Sequence, residues 1–135
     1  MAEQKGPLTN PAYRAALAKN HRLSRALGID AVMTKHKLDA LVAPTSGPAW
    51  LIDLVNGDSF GGDAASPSTV AAIAGYPHIT VPAGYFRGLP VGLSFFGRAW
   101  SEPTLIRIAY AYEQATKHRK PPRFLPTADL LTLSS

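Results

Sequence analysis

The sequence predicts an α/β fold in which a small mixed sheet of about three strands is flanked by helices. Three short apolar runs of strand length are bounded by Pro and Gly residues, at 38–43, 78–83 and 91–97. Apolar residues around these runs recur at helical spacing. The 135 residues are 46% hydrophobic and 17% charged, which suits a single globular domain with one modest core. Because so few residues are charged, we expect more of the surface than usual to be apolar or covered by a partner.

The N-terminal part of the chain predicts two helices. The first is expected over 11–27, with Thr9 or Asn10 as its N-cap, and Gly28 is expected to end it. A second, short helix is expected over 30–36. Five apolar side chains share one face of the first helix at helical spacing. They are Tyr13, Ala16, Leu17, Leu23 and Leu27.

A βαβ unit is predicted in the middle of the chain. The run at 38–43 is short and almost wholly apolar, which is typical of a strand buried on both faces. Ser66 and Pro67 are suited to the N-cap and first position of a helix expected over 67–74. The strand at 78–83 follows this helix, so the two strands are expected to be parallel, with a right-handed crossover.

A hairpin and a final helix complete the prediction. Gly and Pro residues between 84 and 90 predict a tight return from the second strand to the third. Since this pair is antiparallel, the sheet is expected to be mixed. The last helix is expected to start at Ser101 and to end before Pro121, with Lys117, His118 and Arg119 in its last turn. Its predicted buried stripe is made of Leu105, Ile108, Ala109 and Tyr112.

Three strands form a thin sheet with two edges that need protection. The helices are also too apolar for so small a sheet. The sequence therefore indicates either a piece of a larger structure or an obligate oligomer.

Composition argues against several functions. Fourteen Lys and Arg against nine Asp and Glu give a net charge of +5, with the basic residues concentrated near the two ends. Solvated helix faces account for this pattern, and no aromatic residues interleave with the basic ones, so we expect no nucleic-acid partner. The alternative hypothesis, a nucleic-acid binder, predicts an affinity that falls steeply with salt. No membrane span is expected, and the absence of cysteine fits a cytoplasmic protein.

The residues do not predict a nucleophile, a metal site or a cofactor. The run from Gly92 to Phe96 resembles G-x-S-x-G, but Phe96 stands where the motif needs its last Gly. Ser94 is therefore expected to face a neighbouring element within the sheet. The four histidines do not lie at the spacing of metal ligands.

The long connection over 44–65 has no convincing period, and such connections are often functional or disordered. It carries Trp50 and Phe60, which pack either in the core or as a pocket wall. Asp53, Asp58 and Asp63 do not match the spacing of calcium ligands and are interpreted as turn residues.

Three motifs in succession resemble the C-terminal portion of amidase-signature enzymes. They are LDALVAPTSGPAW, AGYPHITVPAG and GLPVGLSFFGRAWSEPTLIRIAYAYEQAT, and the resemblance runs from about Tyr13 to Phe124. Enzymes of this family hydrolyse carboxylic amides with a Ser–cis-Ser–Lys triad, beside a glycine- and serine-rich loop that holds the oxyanion. This sequence has no GGSSGGS-like stretch and no Lys in the matching context, so the resemblance assigns no catalytic residue.

The resemblance implies that residues 1–135 are a single domain, the C-terminal portion of an amidase. Residues 1–9 and 124–135 are expected to be poorly ordered, because chain ends fray and the C-terminal tail has no clear period. The resemblance also implies that this portion completes the sheet and forms a wall of the substrate pocket. The implied pocket residues are Trp50, Phe60, Asp63 and Ser66.

Two functional hypotheses follow. In the first, the chain is inactive alone and meets an amide substrate only within a complete enzyme, together with an N-terminal amidase portion. In the second, it is a non-catalytic binding or assembly module that self-associates as a homo-oligomer through an exposed sheet edge.

Overall fold

The computed structural model describes residues 6–49, 54–57, 66–122 and 124. In chain order, its elements are helix α1 (Pro11–His21), a π-helical segment (Arg22–Ile29), helix α2 (Asp30–His36), strand β1 (Leu41–Pro44), helix α3 (Pro67–Ala74), strand β2 (His78–Phe86), strand β3 (Leu89–Phe96) and helix α4 (Glu102–Thr116). The α/β class, with three strands and flanking helices, is confirmed.

The strands lie in the order β1-β3-β2, and β3 is antiparallel to both neighbours. The sheet is therefore antiparallel throughout, and the expectation of a mixed sheet was wrong in this respect. β1 and β2 do run in the same direction with α3 between them, as the predicted βαβ unit requires. The hairpin partner β3 lies between these two parallel strands, so they do not pair with each other.

The hairpin between β2 and β3 is longer and tighter than the sequence predicted. β2 continues to Phe86, and the turn consists of Arg87 and Gly88, with φ of 48° and 72°. Positive φ at both positions is the type I′ geometry that matches the twist of paired strands. The register shifts between Pro82 and Gly84, so Ala83 is an extra residue in a β-bulge.

The sheet separates two apolar clusters. On one face, α2, α3 and the end of the π-helical segment pack around the sheet, and on the other face α4 covers β2 and β3. The first cluster consists of Ile29, Met33, Ala71, Ala74 and Phe96. The second consists of Val81, Phe95, Leu105 and Ala109. The predicted stripe of α4 is confirmed, since Ile108 and Tyr112 pack against this second cluster.

The N-terminal helices are joined by a kink at Gly28, where a helix end was expected. Gly28 has φ −109° and ψ −108°, and the chain stays helical on both sides. A Cβ at this position would lie 2.8 Å from the carbonyl oxygen of Leu23, so only Gly fits this approach. The helical stretch ends later, at Lys37, which has a positive φ of 52°. Gly75 ends α3 in the left-handed conformation, and the helix spans the predicted residues 67–74.

Two apolar surfaces identified in the sequence are exposed. No residue of α1 is buried, and its apolar face lies open to solvent. Val42, in the middle of β1, is 59% exposed, so the expectation that this strand is buried on both faces was wrong for the described residues. The physical reason is its place at the sheet edge, where α4 does not cover it.

The C-terminal end of α4 also differs from the prediction. The helix ends at Thr116, and Lys117 is a left-handed cap with φ 50°. Lys117, His118 and Arg119 therefore follow the helix and do not lie in its last turn.

The placement of α4 predicts unequal effects of two adjacent truncations. Leu105 is 1% exposed, so Leu105→Ala is expected to lower the free energy of unfolding by about 2–5 kcal/mol, because a cavity is left behind. Ile106 is 58% exposed, and Ile106→Ala is expected to change it by about 0.5 kcal/mol or less. Urea unfolding followed by circular dichroism measures both. Equal losses would contradict the packing of α4 on the sheet.

Candidate hydroxyl cluster at the ends of the long connection

Ser66 lies where the long connection meets α3, and its side chain holds the two together. Its Oγ accepts a hydrogen bond from the backbone N–H of Ser68 (3.3 Å), which caps the helix as predicted. The Ser66 hydroxyl donates to the carbonyl oxygen of Thr45 (2.9 Å). Because its one proton is used there, the hydroxyl of Ser68, 2.8 Å away, is the donor in the pair with Ser66.

Three further hydroxyls form a ring on the same face of the sheet. Ser94 of β3 is fully buried, and its Oγ lies 2.7 Å from Thr45 Oγ1 and 3.2 Å from Thr80 Oγ1. Thr45 donates to Thr80 over 3.4 Å. If Thr80 donates to Ser94 and Ser94 to Thr45, each hydroxyl donates one bond and accepts one. The expectation that Ser94 faces a neighbour within the sheet is confirmed.

The ring depends on a glycine and on the strand register. β3 aligns Ser94 with Ala43 of β1 and with Thr80 of β2, so the three strands converge at this position. A Cβ on Gly92 would lie 2.7 Å from both Thr45 Oγ1 and Thr80 Cγ2. The absence of a side chain at Gly92 is what allows the two threonines to approach each other across β3.

The predicted pocket residues fall into two groups. Ser66 lies at the cluster, whereas Trp50, Phe60 and Asp63 lie outside the described residues. Sequence reasoning did not select the hydroxyls of Thr45, Ser68 and Thr80. Thr80 pairs with Ser94 only because of the bulge at Ala83, and the sequence alone does not predict that bulge.

The chemistry of the cluster is that of neutral donors and acceptors. Within residues 6–49, 54–57, 66–122 and 124, no hydrogen bond joins Ser66, Ser68 or Ser94 to a His, Lys, Asp or Glu side chain. A serine nucleophile needs such a base beside it. Through these described contacts, the cluster can fix the backbone and bind a polar group.

Membrane-spanning helices and metal sites are both absent from the same part of the chain. The described helices include none that is long and apolar enough to cross a membrane. Nor do the described residues include three or more His, Asp or Glu side chains grouped as metal ligands.

A second polar feature is an open cleft of about 450 Å³ between the end of α2 and the start of α4. The guanidinium of Arg98 donates across it to Thr34 Oγ1 at 2.7 Å. Its charged lining residues are of both signs, and its polar and apolar residues are mixed. They are Met33, Thr34, Lys37, Leu38, Asp39, Arg98, Ser101 and Thr104.

A third polar group joins the N-terminal helices to the end of α3. Arg25 Nε donates to the carbonyl oxygen of Ala74 (2.6 Å), and the guanidinium carbon lies 5.3 Å from the centroid of the Tyr76 ring. Tyr76 donates its hydroxyl proton to Asp30 Oδ2 at 2.8 Å. Burial, followed by this hydrogen bond to Asp30, raises the pKa of Tyr76 above its ordinary value.

Comparison with known proteins identifies the family. The Amidase family model matches residues 1–106. A probable amidase of Arabidopsis thaliana is 45% identical over 113 residues, which are 83% of this chain and 18% of the relative. One of the subunits of the glutamyl-tRNA(Gln) amidotransferase of Bacillus pumilus is 35% identical over 115 residues, covering 84% of this chain and 24% of the relative.

A solved structure agrees with these sequence relatives. The native peptide amidase of Stenotrophomonas maltophilia matches with a TM-score of 0.74 and 52% identity, over 88% of this chain and 23% of that enzyme's chain. The chain belongs to the amidase family, as the three motifs indicated. It spans between 18% and 24% of the length of these relatives, and is thus a fragment relative to them.

The raised pKa of Tyr76 predicts a change in stability at alkaline pH. The fold favours the neutral phenol, so this contribution is complete below the ordinary pKa of 10.0 and is lost as the pH rises through the higher folded value. Tyr76→Phe lacks a titrating group, so the stability gap between the wild type and this variant is expected to shrink above about pH 10. Urea unfolding from about pH 8 to about pH 11.5 measures it. A gap that stays constant would show that Tyr76 is not held in its neutral form.

Proposed function

We propose that this chain forms the sheet and one wall of the substrate pocket of an amidase, and that it does not hydrolyse amides alone. The observation that carries the proposal is the hydrogen bond from Ser66 to the Thr45 carbonyl oxygen. It brings together the two ends of the connection that carries three of the pocket residues, Trp50, Phe60 and Asp63, and the fourth, Ser66, directly follows that connection. Ser66 adds a hydroxyl pair with Ser68 at the end of that connection.

The substrate class follows from the relatives. These three proteins are a probable amidase, a peptide amidase and one of the subunits of an amidotransferase, so a carboxylic amide is proposed. In the complete enzyme, acyl transfer to a serine and its hydrolysis would take place against this wall. The two aromatic side chains would contact apolar parts of the substrate, and Asp63 and Ser66 its polar groups.

Inactivity of the chain alone follows from the absent catalytic groups. The sequence has no glycine- and serine-rich oxyanion stretch, and no hydrogen bond among the described residues joins Ser66, Ser68 or Ser94 to a basic or acidic side chain. Without a nucleophile, a base and an oxyanion site, residual turnover is expected to be negligible. No cofactor is proposed.

The proposed partner is the remainder of an amidase chain. Its expected contact surface includes the uncovered apolar face of α1 and the exposed Val42 at the sheet edge. Residues 1–135 would then act as one C-terminal unit of that enzyme, in the cytoplasm, as the lack of cysteines favours. Neither a nucleic acid nor a membrane is proposed as a partner.

The chain alone is expected to release no ammonia from a C-terminally amidated peptide, and to form no adduct with a fluorophosphonate probe. Ammonia assay and intact-mass spectrometry measure the two outcomes, with the Stenotrophomonas maltophilia peptide amidase as the positive control. A stoichiometric adduct that does not form when the chain is denatured before labelling would contradict the proposal, since it would reveal an activated serine in this chain.

A chimera tests the positive half of the proposal. In it, this chain replaces the matching 23% of the peptide amidase. Hydrolysis of the amidated peptide by the chimera supports a role in the pocket wall. A folded but inactive chimera, with its catalytic serine still labelled by the probe, would argue against that role.

A second candidate function, assembly through the sheet edge, is favoured by one observation. The backbone N–H of Thr45 donates to Gly92 of β3, and strand groups alternate in direction, so the polar backbone groups of Val42 point away from the sheet. An edge of this kind can pair with another copy of the chain.

Val42→Lys is expected to shift any dimer to monomer, because charged side chains on an edge strand oppose pairing. Val32→Lys is the matched control, since Val32 is also exposed but lies on α2. Sedimentation velocity at micromolar concentration measures the mass. A wild-type monomer, or equal effects of both substitutions, would eliminate assembly through β1.

A further inference from the structure

The two ends of the long connection meet at one place in the described structure. Because β1 includes Pro44 and Thr45 is still bonded to β3, the connection is reduced to the 20 residues between Thr45 and Ser66. The Ser66 hydroxyl donates to the Thr45 carbonyl oxygen at 2.9 Å. The two ends are therefore joined to each other by a side chain, although the chain between them is long.

Thr45 is in turn fixed to the central strand by two separate contacts. Its backbone N–H donates to the carbonyl oxygen of Gly92 at 2.8 Å. Its hydroxyl takes part in the ring with Ser94 and Thr80. Thr45 lies one residue beyond the end of β1, so the ring extends the attachment of the chain past the last residue of the strand.

Because Ser94 is buried, its hydroxyl depends on the ring for its hydrogen bonds. The Ser94 side chain has no contact with solvent, and it hydrogen-bonds to the hydroxyls of Thr45 and Thr80. A buried hydroxyl that loses its partner keeps the whole cost of its desolvation. Displacement of Thr45 would therefore leave Ser94 poorly satisfied, and the fold resists that displacement.

We infer that Thr45, Ser94 and Thr80, together with Ser66, form a hydroxyl clamp that fixes both ends of the connection on β3. Thr45 and Ser94 are positioning residues in this clamp, and Gly92 provides the space in which it closes. The clamp is independent of catalysis. Only its consequence, that it sets where the pocket wall begins, rests on the proposed function.

The alternative is that these hydroxyls add only general stability to the sheet. A pair of substitutions at Thr45 separates the two explanations. Thr45→Val keeps the shape of the side chain and removes the hydroxyl, whereas Thr45→Ser keeps the hydroxyl and removes the methyl group. A clamp depends on the hydroxyl, so the Ser variant should rescue what the Val variant loses.

Hydrogen–deuterium exchange of the full chain, read by mass spectrometry, is the test. In Thr45→Val, amides at 45–49 and 68–71 are expected to exchange at least about tenfold faster than in the wild type, because local opening no longer breaks the ring. Amides of α4 at 105–116 are expected to keep their rates. Thr45→Ser is expected to stay within about threefold of the wild type in every segment.

A second variant guards against an idiosyncratic effect at Thr45. Gly92→Ala would place a Cβ 2.7 Å from Thr45 Oγ1, and is expected to speed exchange in the same two segments. Three outcomes overturn the clamp: unchanged rates in Thr45→Val, a uniform increase that includes α4, or an equal increase in the Val and Ser variants. The uniform increase would assign these hydroxyls to general stability. None of these outcomes depends on amide hydrolysis, so failure of the clamp is distinguishable from failure of the proposed function.

Discussion

Burial of β3 on both faces is the constraint on which the rest of this structure depends. Ser94, Phe95 and Phe96 are consecutive residues with side chains on alternating faces, and all three are buried. Such burial requires a helical layer on each side and a strand along each edge. The end of the π-helical segment, α2 and α3 cover the face of Phe96, α4 covers the face of Phe95, and β1 and β2 flank the strand. Removal of any of these elements would expose part of β3.

The two faces of β3 have different chemistry, and this difference places the candidate site. The face towards α4 is apolar along its length, with Phe95 in the second cluster and Leu93 packed against that cluster. The opposite face begins with Phe96 in an apolar cluster and becomes polar at Ser94. Gly92 then leaves an open position, into which Thr45 extends from the end of β1. The hydroxyl cluster lies where the apolar packing on that face ends, so it is held by the core and still reaches the surface through Ser68.

Elements were predictable from the sequence where local chemistry decides them. Ser66, Pro67 and Gly75 mark the ends of α3 because each is strongly preferred at its position in a helix end, and α3 has these ends. The stripe of α4 was predictable because helical spacing alone determines which residues face the sheet. The family was likewise readable from three ordered motifs.

The features that sequence reasoning missed depend on tertiary contacts. Gly28 resembles a helix end, but the close approach of the Leu23 carbonyl makes it a kink. The position of β3 between β1 and β2 is not visible in any local pattern.

The hydroxyl ring shows most clearly that strand register cannot be predicted from local sequence patterns. With the turn at Arg87 and Gly88, an unbroken hairpin would pair Thr80 with Phe95, and the bulge at Ala83 moves that partner to Ser94. A single extra residue thus decides whether the threonine meets a hydroxyl or a ring.

The apolar run of β1 explains why this fold resembles part of a larger one. The sequence at 38–43 is typical of a strand buried on both faces, yet Val42 is 59% exposed on the outer strand of this sheet. An edge strand of a complete sheet is normally protected by charge, by Pro or by a bulge. β2, the other edge, carries both Pro82 and a bulge, whereas the centre of β1 has none of these devices. The two edges are therefore not equivalent: β2 is built to end a sheet, and β1 has the composition of a strand that continues one.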